Sequence, residues 1–145
     1  MLIYLDFDGT VVEHAYPEIG RCNFGCMEVI KKLQDAGHTI VLNTYRADLG
    51  YGVDAALKVL NEQAWMFVTD KALKLSGDFE LQPITEVINP KVHPHPWDLE
   101  NAIREDILFI DDIATNIPLK PACMVKRNMV DWDELDRQFM RYGIY

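Results

Sequence analysis

Short apolar runs recur at residues 2–5, 39–42, 65–68, 107–110 and 122–125, each bounded by polar or turn-forming residues. Runs of this length without polar alternation predict five strands covered on both faces, as in a parallel sheet. Helix-length segments separate them. Met27, Ile30, Leu33 and Ala36 recur at helical spacing and stop at Gly37, a natural C-terminal cap, with Asn23 placed to cap the start. Ala55, Ala56, Val59 and Leu60 mark a second amphipathic stretch, residues 97–104 a third, and residues 132–142 a fourth, capped by Asp131 and ended by Gly143. This alternation predicts an α/β domain with right-handed crossovers. Residues 71–90 break the rhythm with Gly77, Pro83 and Pro90, and a stretch of that length predicts a small turn or a flap over a site.

The length of 145 residues, 49% of them apolar, suits one domain over residues 1–145 with a single core. Fourteen Lys and Arg against 23 Asp and Glu give a formal charge of −9, which argues against extensive nucleic-acid contacts. Any phosphorylated partner must then be met locally or through a bound cation. No apolar run approaches the roughly 20 residues that span a bilayer, and no basic segment or small-residue cleavage site precedes the first strand, so a cytoplasmic protein without membrane contact is expected. Cys22, Cys26 and Cys123 are an odd count for a disulfide framework and lack further zinc ligands, which predicts reduced, buried or half-buried thiols.

In an open parallel sheet the reactive crevice lies beyond the carboxyl ends of the strands. The first strand ends in Asp6-Phe7-Asp8-Gly9-Thr10, the second in Asn43-Thr44-Tyr45-Arg46 and the fourth in Asp111-Asp112. A single strand-end Asp is usually a solvated turn residue, but two pairs at neighbouring ends are a different matter. Like charges about 4 Å apart repel by roughly 4 kcal/mol at an effective dielectric of 20, so the cluster calls for a proton or a cation. Magnesium prefers oxygen ligands and typically joins one or two carboxylates to phosphate oxygens. Asp6 is then the candidate nucleophile, forming an aspartyl-phosphate, and Asp8 the candidate general acid and base. Gly9 lets the backbone bend and offer amides to phosphoryl oxygens. Thr44 is suited to hold a non-bridging oxygen, and Lys91, preferred over Lys71 and Lys74, to balance charge. Arg46 can reach a second anionic group by a bidentate contact or can be an ordinary surface arginine.

Taken in order, Asp6-Phe7-Asp8-Gly9-Thr10, Thr44, Lys91 and Asp111-Asp112 resemble the four motifs of the haloacid dehalogenase-like superfamily. The resemblance covers the chain from Leu2 to about Val125. It implies a three-layer Rossmann-like sheet of strand order 5-4-1-2-3, Mg2+, and a phosphatase acting through an aspartyl-phosphate. Lys91 followed by a proline-bearing loop, a helix and an acidic strand end is similar to the family's third and fourth motifs, and Asn116 stands four residues beyond Asp112, similar to its Asp-x-x-x-Asp/Asn spacing. The resemblance therefore implies metal ligation by the Asp6 carboxylate, the Asp8 backbone carbonyl and Asp112, with Asp111 as partner. Only a short flap over residues 11–26 follows the first motif, which implies an enzyme without a large cap, open to a small phosphoester or to a phosphate on a macromolecule.

Three other readings compete. A signalling receiver uses similar groups, but there paired acids come early and Lys last, the reverse of the order here. A degenerate member of the same superfamily would bind a partner or phospholigand without turnover. A nucleic-acid end-processing phosphatase is the third. His93 and His95, set in a proline-rich segment, lack an evident third ligand for a transition metal. His14, in the flap, reads as a loop histidine with substrate contact as the alternative.

Overall fold

The fold, a computed structural model, is described for residues 1–47 and 52–145. Four parallel strands build the main sheet: β1 (Leu2–Leu5), β2 (Thr39–Asn43), β3 (Val87–Ile88) and β4 (Ile107–Ile110). Their order is β3-β2-β1-β4, not the five-stranded 5-4-1-2-3 expected. The remaining pair, β5 (Leu119–Pro121) and β6 (Asn128–Val130), forms a separate antiparallel hairpin. The helices are α1 (Cys26–Asp35), α2 (Val53–Glu62), α3 (Lys71–Ser76), α4 (Leu99–Glu105) and α5 (Trp132–Arg141). No described helix is long and apolar enough to cross a membrane.

Period-two alternation in β1 divides the interior. Ile3 and Leu5 are fully buried and lie in register with Ile40 and Leu42 on one side and Leu108 and Ile110 on the other. The buried apolar residues of α1, α2, α4 and α5 all belong to the same core cluster as these strand residues. Tyr4, Val41 and Phe109 share the opposite register. Tyr4 and Phe109 stack at 4.7 Å, and His95 meets Phe109 edge-on while stacking on Trp97 at 4.6 Å. His95 is thus occupied with aromatic packing, and His93 is exposed.

Two expected strands are absent. Residues 65–68 fall mostly in a 3-10 turn, Ala64–Phe67, in which Trp65 and Met66 are exposed while Ala64 and, just past the turn, Val68 are buried. Exposure of Met66 between these two buried positions breaks the period of two that a half-buried strand would show. The edge beside β2 is taken instead by Val87–Ile88, from the segment expected to hold a small turn or a flap. Residues 122–125 form the connection between β5 and β6, with Met124 and Cys123 exposed. The exposure of Cys123 also corrects the expectation that all three thiols are at least half buried. Residues 71–90 carry α3 and β3 and anchor in the core through Phe79 and Ile84. None of them lines the cavity at the acidic strand ends.

Side-chain caps open α4 and α5, as expected at α5, but not α1 or α2, whose N-caps are Gly25 and Gly52. Asp98 and Asp131 accept from the backbone N–H of Asn101 and Glu134, capping α4 and α5. The cap of α1 is Gly25, in the left-handed region, and Asn23 is buried elsewhere, donating from Nδ2 to the carbonyls of Thr10 at 2.9 Å and Val130 at 2.6 Å.

Candidate active site

The carboxyl ends of β1, β2 and β4 open into one cavity of about 300 Å³, lined by Asp6, Asp8, His14, Tyr16, Thr44, Tyr45, Arg46, Lys91, Asp112, Ile113 and Arg127. Parallel pairing of β1 with both neighbours brings together ends that lie far apart in sequence. Asp6 donates its backbone N–H to the Ile110 carbonyl at 2.9 Å, continuing the β1–β4 ladder to the mouth of the sheet. Ligand oxygens of Asp6, Asp111 and Asp112 lie within 4.8 Å of one another.

Lys91 sits among them. Its Nζ donates to Asp6 Oδ1 at 3.0 Å and forms an ion pair with Asp111 Oδ2 at 2.8 Å. Asn43, the last residue of β2, holds this lysine's loop: its Nδ2 donates to the Val92 carbonyl and its Oδ1 accepts from the Val92 N–H, both at 2.8 Å. Lys71 and Lys74 are exposed and distant from this cavity's lining, so Lys91 is the lysine the fold brings to the acids.

Burial raises the Asp6 pKa well above the ordinary carboxylate value and Asp111 adds to it, with Lys91 opposing. Asp111 is also raised, chiefly by burial, again against Lys91. For Lys91 burial works downward, but Asp6 and then Asp111 outweigh it and the net shift is upward. The ammonium thus partly neutralises a crowded, buried acidic pair. The oxygen-only donor set, with three carboxylates inside one small sphere, fits Mg2+ by ligand chemistry.

The turn after β1 is fixed from several sides. Thr10 Oγ1 donates to Asp6 Oδ2 at 2.9 Å, while the Thr10 carbonyl accepts from Asn23 and from Trp132 Nε1 at 2.7 Å. Gly9 takes φ +81°, but its N–H donates to the Val12 carbonyl at 2.7 Å, so that amide is not turned to a ligand as expected. A Cβ at Gly9 would stand 2.1 Å from His14 Nε2 and 2.7 Å from Asp112 Oδ2. Gly9 therefore contributes by leaving room for the His14–Asp112 hydrogen bond, 2.9 Å long.

Arg46 differs most from its expected role. Nε and Nη2 donate to the two oxygens of Asp8, each at 2.7 Å, and the guanidinium also donates to the Pro17 and Glu18 carbonyls. The residue is only 2% exposed and packs against Phe7 and Tyr16. The bidentate contact is made to Asp8 within the chain. Thr44 lines the cavity, with its Oγ1 accepting from the Arg46 N–H at 3.1 Å. Asn116 stands aside, donating to the Trp97 carbonyl.

Thr10, Tyr16, Tyr45 and Arg127 had no role assigned from the sequence. Tyr45 lies over Lys91 Nζ at 4.6 Å from its ring centre, and Arg127 Nη2 is 3.9 Å from Asp112 Oδ2. Thr10 could have been found, since a hydroxyl four residues past an Asp in a tight turn can return to it. Arg127 reaches the site from the β5–β6 connection and leaves no local signal.

No family model matches the chain, and no curated protein matches it. A solved structure of a conserved protein from Bacteroides thetaiotaomicron is similar to it, with a TM-score of 0.53 and 24% identity over 99% of this chain and 91% of that one. At that identity the likeness is one of fold: an α/β chain of this arrangement along its whole length.

Proposed function

We propose that the chain is a magnesium-dependent phosphomonoester hydrolase of the haloacid dehalogenase-like type, working through an aspartyl-phosphate on Asp6. One observation carries the reading: Asp6, Asp111 and Asp112 gather their oxygens within 4.8 Å at the strand ends, with Lys91 Nζ 3.0 Å from Asp6. Mg2+ held by Asp6, Asp112 and the Asp8 carbonyl, with Asp111 behind, would neutralise charge on the phosphoryl oxygens and let an anion approach the acids.

The chain's own residues then divide the work. Thr10 and Lys91 each hold one Asp6 oxygen, which limits the rotation of the nucleophile. An Asp6 oxygen attacks phosphorus in line, the ester P–O bond breaks, and protonated Asp8 gives its proton to the leaving oxygen. Asp8 next takes a proton from water as that water attacks phosphorus, and the P–O bond to Asp6 breaks to release phosphate. Thr44 and Lys91 stabilise the transferring group. Asp8 must let go of at least one Arg46 hydrogen bond to carry a proton, so Arg46 acts as a positioning residue for the acid and base.

The test is phosphate release from p-nitrophenyl phosphate. Turnover is expected with Mg2+, is abolished by EDTA, and falls by about 10³-fold or more in Asp6→Asn. Undiminished turnover in that variant would remove Asp6 from its role. A second reading, phospholigand binding without turnover, is favoured by the double hold of Arg46 on Asp8. It predicts Mg2+-dependent phosphate binding with no release from any ester.

A further inference from the structure

The cavity has a buried polar floor and an exposed aromatic rim. Asp6 and Thr44 are 5% and 4% exposed, whereas Tyr16 and Tyr45 on the same cavity are 55% and 72% exposed. Both rings are anchored on cations of the site: Tyr45 over Lys91 at 4.6 Å, and Tyr16 over the Arg46 guanidinium at 4.9 Å. Ile113, 42% exposed, lies on the same rim. A single exposed tyrosine needs no explanation. Two that share one cavity, each seated on a buried cation, form a pre-positioned apolar edge around a site whose floor suits phosphate.

We propose that this rim selects phosphomonoesters whose alcohol portion carries a planar aromatic ring, with the phosphoryl group on the floor and the ring against Tyr16 and Tyr45. The proposal rests on the phosphatase reading for the floor only. A polyol phosphate would leave the tyrosine surfaces in contact with water. A planar ring would cover them and stack, a contact that is tolerant of ring identity. A cavity of about 300 Å³ is at the small end of ligand sites, which suits one ring and its phosphate.

Binding separates this proposal from catalysis. Calorimetry on Asp6→Asn protein with Mg2+ would compare adenosine 5′-monophosphate, phenyl phosphate and ribose 5-phosphate. A ring-bearing ligand is expected to bind at least tenfold tighter than ribose 5-phosphate, about 1.4 kcal/mol. Tighter binding of the nucleotide would place the ring beyond a sugar, and tighter binding of phenyl phosphate would place it on the ester oxygen. Tyr45→Ala and Tyr16→Ala should each shrink the preference severalfold, while Tyr45→Trp retains it. Equal affinities with and without the ring, or alanine variants that weaken ribose 5-phosphate as much as the ring-bearing ligand, would overturn the proposal. Phosphate release by the unmodified protein is read separately: a ring preference without release upholds the rim and defeats hydrolysis, and release without a preference does the reverse.

Discussion

Gly9 joins backbone conformation to electrostatics. Its φ of +81° is strained for any L side chain, and an added Cβ would collide with the His14–Asp112 pair. Gly9→Ala is therefore expected to lower stability by about 1–3 kcal/mol in urea denaturation and to weaken Mg2+ binding by displacing His14 from Asp112. Wild-type stability in that variant would show that the turn relaxes freely. The pattern Asp-x-Asp-Gly-Thr made this glycine visible in the sequence but not its use, because the atoms it avoids include a carboxylate 103 residues away. His14 was obscure for the same reason, its partner lying 98 residues along the chain. The thiols give a second test at this scale. Burial pushes Cys22 up to about 12 and holds Cys26 well above the ordinary thiol value, while Cys123 is exposed. Since the thiolate is the reactive form, iodoacetamide at pH 8 should rapidly modify one thiol in the native protein, at Cys123, and all three after denaturation. Fast labelling of Cys22 would contradict its half-buried position and raised pKa.

At the scale of elements, β2 ends by gripping the loop that carries Lys91. The two Asn43–Val92 hydrogen bonds replace a strand pairing that the chain, passing Pro90 and heading for Pro94, does not make there. Asn43→Ala removes both hydrogen bonds to the Val92 backbone, which at this part-buried position costs about 1 kcal/mol each. Lys91 loosens as a consequence, so kcat of the proposed hydrolysis is expected to fall about tenfold or more with KM changed less; the split is read from steady-state kinetics with thermal melting alongside. A fall in stability with intact kcat would confine Asn43 to a structural part. Strands β1, β2 and β4 were legible because each is an unbroken apolar run ending in polar chemistry. β3 was not, since two half-buried residues carry no pattern of their own and pair only because β2 offers an edge. The runs at 65–68 and 122–125 misled in the opposite sense: their apolar residues are partly exposed, at the end of α2 and in the β5–β6 connection, and hydropathy alone does not distinguish these from a core strand.

Across the whole molecule, a formal charge of −9 makes the concentration of acids at the strand ends a burden on the fold as well as a resource. Asp6 and Asp111 have pKa values raised in the folded state, first by burial. Between the unfolded and folded values the native chain binds more protons than the unfolded one, so stability is full below the unfolded value and falls as pH rises through the folded pKa. Metal-free protein should therefore lose Tm as the pH is raised from about 4 through that window, whereas protein saturated with Mg2+ should lose less, because the ion favours the ionised carboxylates. The gap between the two curves isolates these acids from the other titrating groups. At a hundredfold excess over Kd the ligand adds about 2.7 kcal/mol, on the order of 8 °C for a domain of this size. Asp6→Asn removes one buried charge and one ligand together, so it should raise the metal-free Tm at neutral pH while shrinking the Mg2+ increment. A Mg2+ increment that survives Asp6→Asn undiminished would place the ion elsewhere. The same substitution that relieves the fold would remove the proposed nucleophile, which gives a physical reason for a stable chain to keep an acid buried beside two others.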